Sequence, residues 1–416
     1  MPLIRLVVPV FSVLAVGLAG CSADSAAAPG SATAAITSTP PSSASTASAV
    51  PSPSSPPSAS SPTAEGAQAG AAARSAAPAR TAIRTVTSAS PTDVTTGLAT
   101  PWGLARLPDG SHLVSLRDQA RVLRVDSRGR VTRVPGTGSN GRVAGVRPGG
   151  EGGLLGLAVR PGDSRTVYAY LTSATDNRVV RMSYQGGRLG APVRVVTGIP
   201  KASFHNGGRI AFGPDGMLYI ATGDAGRTGS AQDRGSLGGK ILRVTPTGAA
   251  ARGNPFRGSR VWSLGHRNVQ GIGWDRSGRM FASEFGQNTW DELNRILPGR
   301  NYGWPRVEGM GTASDVRRGY TRPLRVWRPS QASPSGLAVS GDAIYLAALR
   351  GQRLWRVPLA ANGATGTPQS LLQGRLGRLR AVEVQRDGSL LVLTDNAGRS
   401  FARRGDDRLV RVRLRG

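Results

Sequence analysis

Ile210-Ala211-Phe212-Gly213-Pro214-Asp215-Gly216-Met217-Leu218-Tyr219-Ile220-Ala221-Thr222 holds the pattern from which the fold is read. A short apolar run leads into Pro-Asp-Gly, the chemistry of a tight turn, and a second apolar run leaves it. The same device recurs at Leu107-Pro108-Asp109-Gly110, Asp275-Arg276-Ser277-Gly278, Val339-Ser340-Gly341-Asp342 and Gln385-Arg386-Asp387-Gly388. Further strand signals, often alternating with period two, stand at Ser111–Leu116, Thr166–Tyr170 and Leu390–Thr394. No window sustains an amphipathic helix, so the domain reads as all-β. Repeats of about 45–65 residues suit one four-stranded blade each, and roughly 325 residues then give about six blades. A six-bladed β-propeller is the expected fold. Two stacked sandwiches are the alternative, but they would not need the recurring turn.

Outward from this domain the texture changes. Residues 1–21 start with Arg5, continue as an apolar run from Leu6 to Leu18, and end in Leu18-Ala19-Gly20-Cys21. This resembles a bacterial lipoprotein signal peptide whose lipobox leaves Cys21 as a lipid-bearing first residue. The other reading, an uncleaved anchor helix, has too short an apolar run to span comfortably. Residues 22–90 are dominated by Ala, Ser, Pro and Thr and read as a disordered tether, because they offer too little apolar surface to offset ordering entropy. Residues 91–416 form the propeller. The expected location is extracytoplasmic, lipid-anchored to a membrane.

The 416-residue chain carries 53 Lys plus Arg against 24 Asp plus Glu, a net charge of +29. Only Lys201 and Lys240 are lysines. Such a field attracts anions of many kinds, and the scattered arginines read as a compositional habit, so no nucleic-acid partner is expected. The single cysteine excludes an internal disulfide, and the length excludes a disulfide miniprotein.

Three histidines can be weighed singly. His112 lies in an alternating strand and reads as structural; His266 precedes Arg267-Asn268 and can orient that loop. His205, in Phe204-His205-Asn206-Gly207-Gly208-Arg209, sits on a glycine-flanked loop before a strand, placed to reach a central pocket as a base. A hydrogen bond that merely stabilises the loop is the competing reading.

Taken together, several motifs are specific. Gly150-Glu151-Gly152-Gly153-Leu154-Leu155-Gly156, the His205 loop, Gly265-His266-Arg267-Asn268, the stretch from Asp291-Glu292 to Trp304-Pro305, and Gly377-Arg378-Leu379-Arg380 occur in this order. From about Thr96 to Leu414 the chain resembles the soluble quinoprotein sugar dehydrogenases, which use pyrroloquinoline quinone (PQQ). The resemblance implies a six-bladed propeller with the quinone over its channel, His205 as general base, and Arg267 aimed at the reacting carbonyl. It implies Asn268, Arg350, Arg378 and Arg380 as cofactor-binding residues, and Glu151 near the substrate. It also implies a calcium held by carbonyls of Gly286 and Gln287, and a second, structural calcium at Glu292 and the carbonyl of Tyr302. The partners implied are a sugar or polyol substrate and an external or membrane electron acceptor.

The residue chemistry is compatible with these roles. A planar tricarboxylate is well met by guanidinium forks, and calcium prefers several oxygen donors, backbone carbonyls included. The sequence departs from the family on the substrate side. Glu151 stands for a usual glutamine, which predicts a carboxylate close to His205 that raises its pKa. Phe204 replaces an acidic residue, Arg350 replaces a lysine, and Phe285 takes a polar site, so glucose itself is not the expected substrate. Two other functions fit the scaffold: a non-catalytic propeller binding cell-wall polymer, and a metal-dependent hydrolase such as a lactonase. The latter needs acidic residues converging on one channel metal, and the sequence clusters none beyond Asp291 and Glu292.

Overall fold

The computed structural model describes residues 85–397 and 403–416. The expectations for the leader, Cys21 and residues 22–84 lie outside the described residues. Six sheets follow one another along the chain, each a meander of four antiparallel strands, with one extra short strand on the second. The inner strands are Pro101–Arg106, Leu154–Val159, Ile210–Phe212, Val269–Trp274, Pro334–Val339 and Leu379–Val384. This is a six-bladed β-propeller. Its last blade is closed by the first strand: Ser88–Thr95 pairs with Leu409–Arg415, in register from Ser88 opposite Arg415. The boundary expected at residue 90 therefore falls inside a strand, because closure recruits three residues from the end of a segment whose composition reads as tether.

The five recurring turns each join the inner strand of a blade to its second strand, and Arg160-Pro161-Gly162-Asp163 does the same in the second blade. Their chemistry repeats as well. Asp109, Asp215, Asp275 and Asp387 each accept a backbone N–H two residues on, at 2.9–3.1 Å. The glycine that follows takes φ between 73° and 84° in the Pro-Asp-Gly turns at 110 and 216, a region costly for a side chain with Cβ. Because every blade is an antiparallel meander, fixing these turns at one end of the propeller fixes two other connections at the opposite end. These are the link from second to third strand and the crossover to the next blade.

The middle strands depart from simple alternation. His112–Leu116, Ala343–Ala348 and Leu390–Thr394 are buried throughout, because each blade is covered on both faces by its neighbours. Alternation survives toward the outside, as in Asn177–Gln185. Accordingly the apolar core is divided. One cluster lies between each pair of adjacent blades, for example Leu155, Tyr170 and Val179 against Ile210, Leu218 and Leu242. The only α-helix among the described residues, Ala313–Arg317, is a single turn with Thr312 and Asp315 forming a capping box.

Candidate functional site

The face opposite the recurring turns gathers residues from every blade. His205 lies in the crossover into the third blade with φ of 54°, a conformation costing about 1–2 kcal/mol for a residue with Cβ. Its surroundings hold it there. The His205 N–H donates to Glu151 Oε2 at 3.0 Å, and its carbonyl accepts from Ala225 at 3.1 Å. The following Gly207 is required: a Cβ there would lie 2.6 Å from the backbone of Thr222 and Gly223.

The imidazole is then aimed by a buried carboxylate. His205 Nδ1 sits 2.8 Å from Asp224 Oδ1, while Asp224 Oδ2 accepts from the Trp304 indole N–H at 2.8 Å. Gly226 N–H adds a third donor at 2.8 Å. Burial drives the Asp224 carboxyl upward, but these donors and His205 outweigh it and hold the group below the ordinary aspartate range. Asp224 is thus an anion at neutral pH, an acceptor that favours a proton on His205 Nδ1. Glu151 differs from expectation. It does lie against His205, but it engages the backbone N–H, and the carboxylate on the ring is Asp224.

Arg267 and Asn268 occupy the crossover into the fourth blade. The Arg267 N–H is taken by Glu284 Oε1, and Glu284 Oε2 meets His266 Nδ1 at 2.8 Å. His266 Nε2 lies 2.9 Å from Ser263 Oγ, and the ring stacks on Tyr302. His266 therefore orients this loop, as its position suggested. The Arg267 guanidinium lies over the Trp304 ring at 5.4 Å, reaches the Phe285 carbonyl at 3.4 Å, and leaves Nε without an acceptor. Burial lowers its pKa. Asn268 is fully buried; its Oδ1 accepts from Gly207 at 3.0 Å, and its Nδ2 has no acceptor. These orphaned donors suit an acceptor-rich ligand.

The remaining arginines differ among themselves. Arg350 is exposed on the second-to-third-strand link of the fifth blade. Arg378 is half-buried, its Nε donating to the Asp395 carbonyl at 3.2 Å. Arg380 is buried near the axis, paired with Asp395 Oδ2 and donating to Gln270 Oε1 at 3.0 Å. It meets the site from below, with its terminal nitrogens already engaged. Asp395 stays below the ordinary range because Arg380, Arg117 and Arg378 overcome its burial.

Gly286 and Gln287 lie on the fourth blade's second-to-third-strand link, beside Phe285. Gly286 N–H donates to Asp291 Oδ1 at 3.0 Å, and the four N–H groups of residues 287–290 converge on Glu308 Oε1 at 2.8–3.3 Å. With their N–H groups turned onto carboxylates, the carbonyls of Gly286 and Gln287 accept no hydrogen bond among the described residues, as suits ligands of a hard cation. Glu292 is buried, accepting from Gly309 N–H at 2.8 Å and Asn294 Nδ2 at 2.9 Å. Burial, and next the nearby Glu284, push its carboxyl up to about 8. Asn294 Oδ1 beside it has no donor. An under-compensated carboxylate next to a free amide oxygen fits a cation, although no group of three or more His, Cys, Asp or Glu among the described residues could hold a metal alone.

The glucose/sorbosone dehydrogenase family profile matches residues 98–403. The chain belongs to the glucose/sorbosone dehydrogenase family. The aldose sugar dehydrogenase of Escherichia coli is 31% identical over 333 residues, which is 71% of this chain and 87% of that protein. The solved PQQ-bound form of aldose sugar dehydrogenase from Streptomyces coelicolor is 52% identical over 79% of this chain and 98% of that one, with a TM-score of 0.74. The apo-form of the soluble aldose sugar dehydrogenase from Escherichia coli is 25% identical over 79% of this chain and all of that one, with a TM-score of 0.68.

For this glucose/sorbosone dehydrogenase family member the sequence reading passed over Asp224, Glu284, Glu308, Asp395 and the indole of Trp304. Each acts on a predicted residue from a distant stretch of chain. A signal was available for Asp224, Glu284 and Asp395: each ends or closely follows a strand that leaves a recurring turn and so must finish on the face that carries His205.

Proposed function

We propose that this oxidoreductase oxidises an aldose or a related sugar or polyol to a lactone or carbonyl product, using PQQ and calcium. The observation that carries the reading is the His205–Asp224 dyad, set on one face with Arg267, Asn268 and Arg378. The substrate hydroxyl gives its proton to His205 Nε2, while Asp224 holds Nδ1–H and stabilises the imidazolium that forms. When bound, the quinone supplies the two-electron acceptor for the hydride leaving the same carbon. Arg267, Asn268, Arg350 and Arg378 would hold its oxygens and carboxylates, with Arg380, already paired with Asp395, lying beneath. Calcium at the Gly286 and Gln287 carbonyls would add Lewis-acid polarisation there, and a second ion at Glu292 and the Tyr302 carbonyl would fix the loop. On the substrate side the exposed Phe204 packs edge-on against His205 at 4.6 Å and Glu151 is exposed, which favours an aldose other than glucose.

The test is to strip the protein with chelator and titrate it with PQQ and calcium while following quinone absorbance. Stoichiometric, calcium-dependent binding followed by bleaching with a sugar supports the proposal, and absence of binding rejects it. We also infer export and lipidation at Cys21, with electrons passing to an external or membrane acceptor; Cys21→Ser should release the protein from membranes, and unchanged fractionation would reject the anchor.

A further inference from the structure

The inner strands bring one residue each to the start of the propeller axis: Trp102, Leu155, Gln270, Ser335 and Arg380 from five blades, and Arg209 from just before the inner strand of the third. Two of the six are cations on one indole. The Arg209 guanidinium carbon lies 4.3 Å from the Trp102 ring centre, and that of Arg380 lies 5.9 Å from it. Arg380 has a countercharge in Asp395 and reaches Ser335 Oγ at 3.3 Å. Arg209 has none. Its Nε donates to the Gln270 carbonyl at 2.8 Å, and no carboxylate among the described residues pairs with it. The enclosed Nη2 of Arg209 and Nε of Arg380 meet no acceptor. Asp395 pairs with Arg380, and its carboxylate also feels the charges of Arg117 and Arg378.

An ion largely withdrawn from water without a countercharge is penalised, and a cation–π contact returns about 0.5–2 kcal/mol. Arg209 nevertheless stays charged: burial first, and Arg380 second, push it down to about 9, still above neutral pH. The axis therefore lacks one negative charge and two acceptors. Arg209 keeps part of its surface open, so a compact ion can reach it.

We propose that the axial channel holds a resident halide-class anion between Arg209 and Arg380, beside Trp102. It balances the charge beneath the His205 face and satisfies the two N–H groups. A carboxylate of a bound cofactor would offer the same chemistry from another source, and the two are distinguishable. The site does not rest on the quinone reading, because it is tested on the protein without cofactor.

The full chain, free of cofactor, is melted in increasing sodium chloride with ionic strength held constant by sodium methanesulfonate. The expected result is a Tm that rises and saturates, the signature of an anion bound only by the folded state. Crystals grown in sodium bromide should show an anomalous peak in contact with both Arg209 and Arg380. A flat Tm together with no peak overturns the proposal. Repeating the bromide experiment with PQQ separates the sources: a retained peak supports a resident halide, and its stoichiometric displacement overturns it in favour of the cofactor carboxylate. Gln270→Glu supplies a fixed carboxylate to the ring and should abolish the chloride dependence. Undiminished dependence in that variant overturns the placement.

Discussion

Asp224 is enclosed by protein yet ionised, because two N–H donors and an imidazole reward its charge more than burial penalises it. A carboxyl with a lowered folded-state pKa contributes stability above the ordinary range and loses it as pH falls through the folded value. Asp224→Asn should therefore reduce kcat by roughly 10²–10⁴-fold, the usual worth of a positioned base, and should flatten the acid limb of Tm against pH. Steady-state kinetics and melting from pH 2 to 7 check both; unchanged kcat would remove the Asp224 carboxylate from the positioning of His205. Lys240 gives a slope of the same sign for the opposite reason, because folding disfavours its charged form. It is fully buried with Nζ donating to the Gly238 carbonyl at 2.7 Å, and burial pushes it down to about 8. Between that value and the unfolded one the unfolded chain binds more protons, so stability rises with pH from about 8 toward 10. The rise should vanish in Lys240→Met, as melting curves across that interval would show.

At the scale of elements, the long link between the third and fourth strands of the fourth blade, residues 297–324, serves two sites at once. It runs beside Leu264 and Gly265 through backbone hydrogen bonds at 2.9 and 3.0 Å, and so delivers Trp304 to Asp224 and Arg267. Glu308, farther along, organises the loop at 287–290. Trp304→Phe keeps the ring under Arg267 but removes one donor from Asp224. The expected outcome is a shifted acid limb in the pH profile of kcat/KM with little change in Tm; an unshifted profile would make Trp304 a packing residue alone. Glu308→Ala strands four N–H groups and should cost about 1–3 kcal/mol after partial hydration. Calcium affinity should fall with it, as read by a calcium titration of both forms.

For the whole molecule, closure of the ring is the decisive contact. The strand Ser88–Thr95 completes the last blade from the far end of the chain, so a protein beginning at residue 85 should fold and one beginning at 96 should lose cooperative melting. Equal melting of the two would show closure to be dispensable. The abundant arginine is used structurally as well. Arg124, Arg243, Arg356 and Arg411, all on third strands, pair with turn residues Asp109, Asp215, Asp342 and Asp387 at 2.6–3.5 Å. The turn aspartates shape the hairpin and the arginines tie the third strand to it, with each exposed pair worth about 0–1 kcal/mol.

Local chemistry made the repeat legible. Pro, Asp and Gly restrict the backbone within four residues, so the turns, the strands beside them and the count of six could be read along the chain, and His205 and the arginines stood out as residue types suited to a base and to an anionic ligand. Burial on both faces of the middle strands, the identity of the carboxylate on His205, the different engagement of Arg350, Arg378 and Arg380, and the closing strand depended on the tertiary structure. They depend on contacts between separate strands and links, within one blade for His205 with Asp224 and Arg380 with Asp395 and between blades for Asp224 with Trp304. How strands and blades pack is encoded by no local pattern.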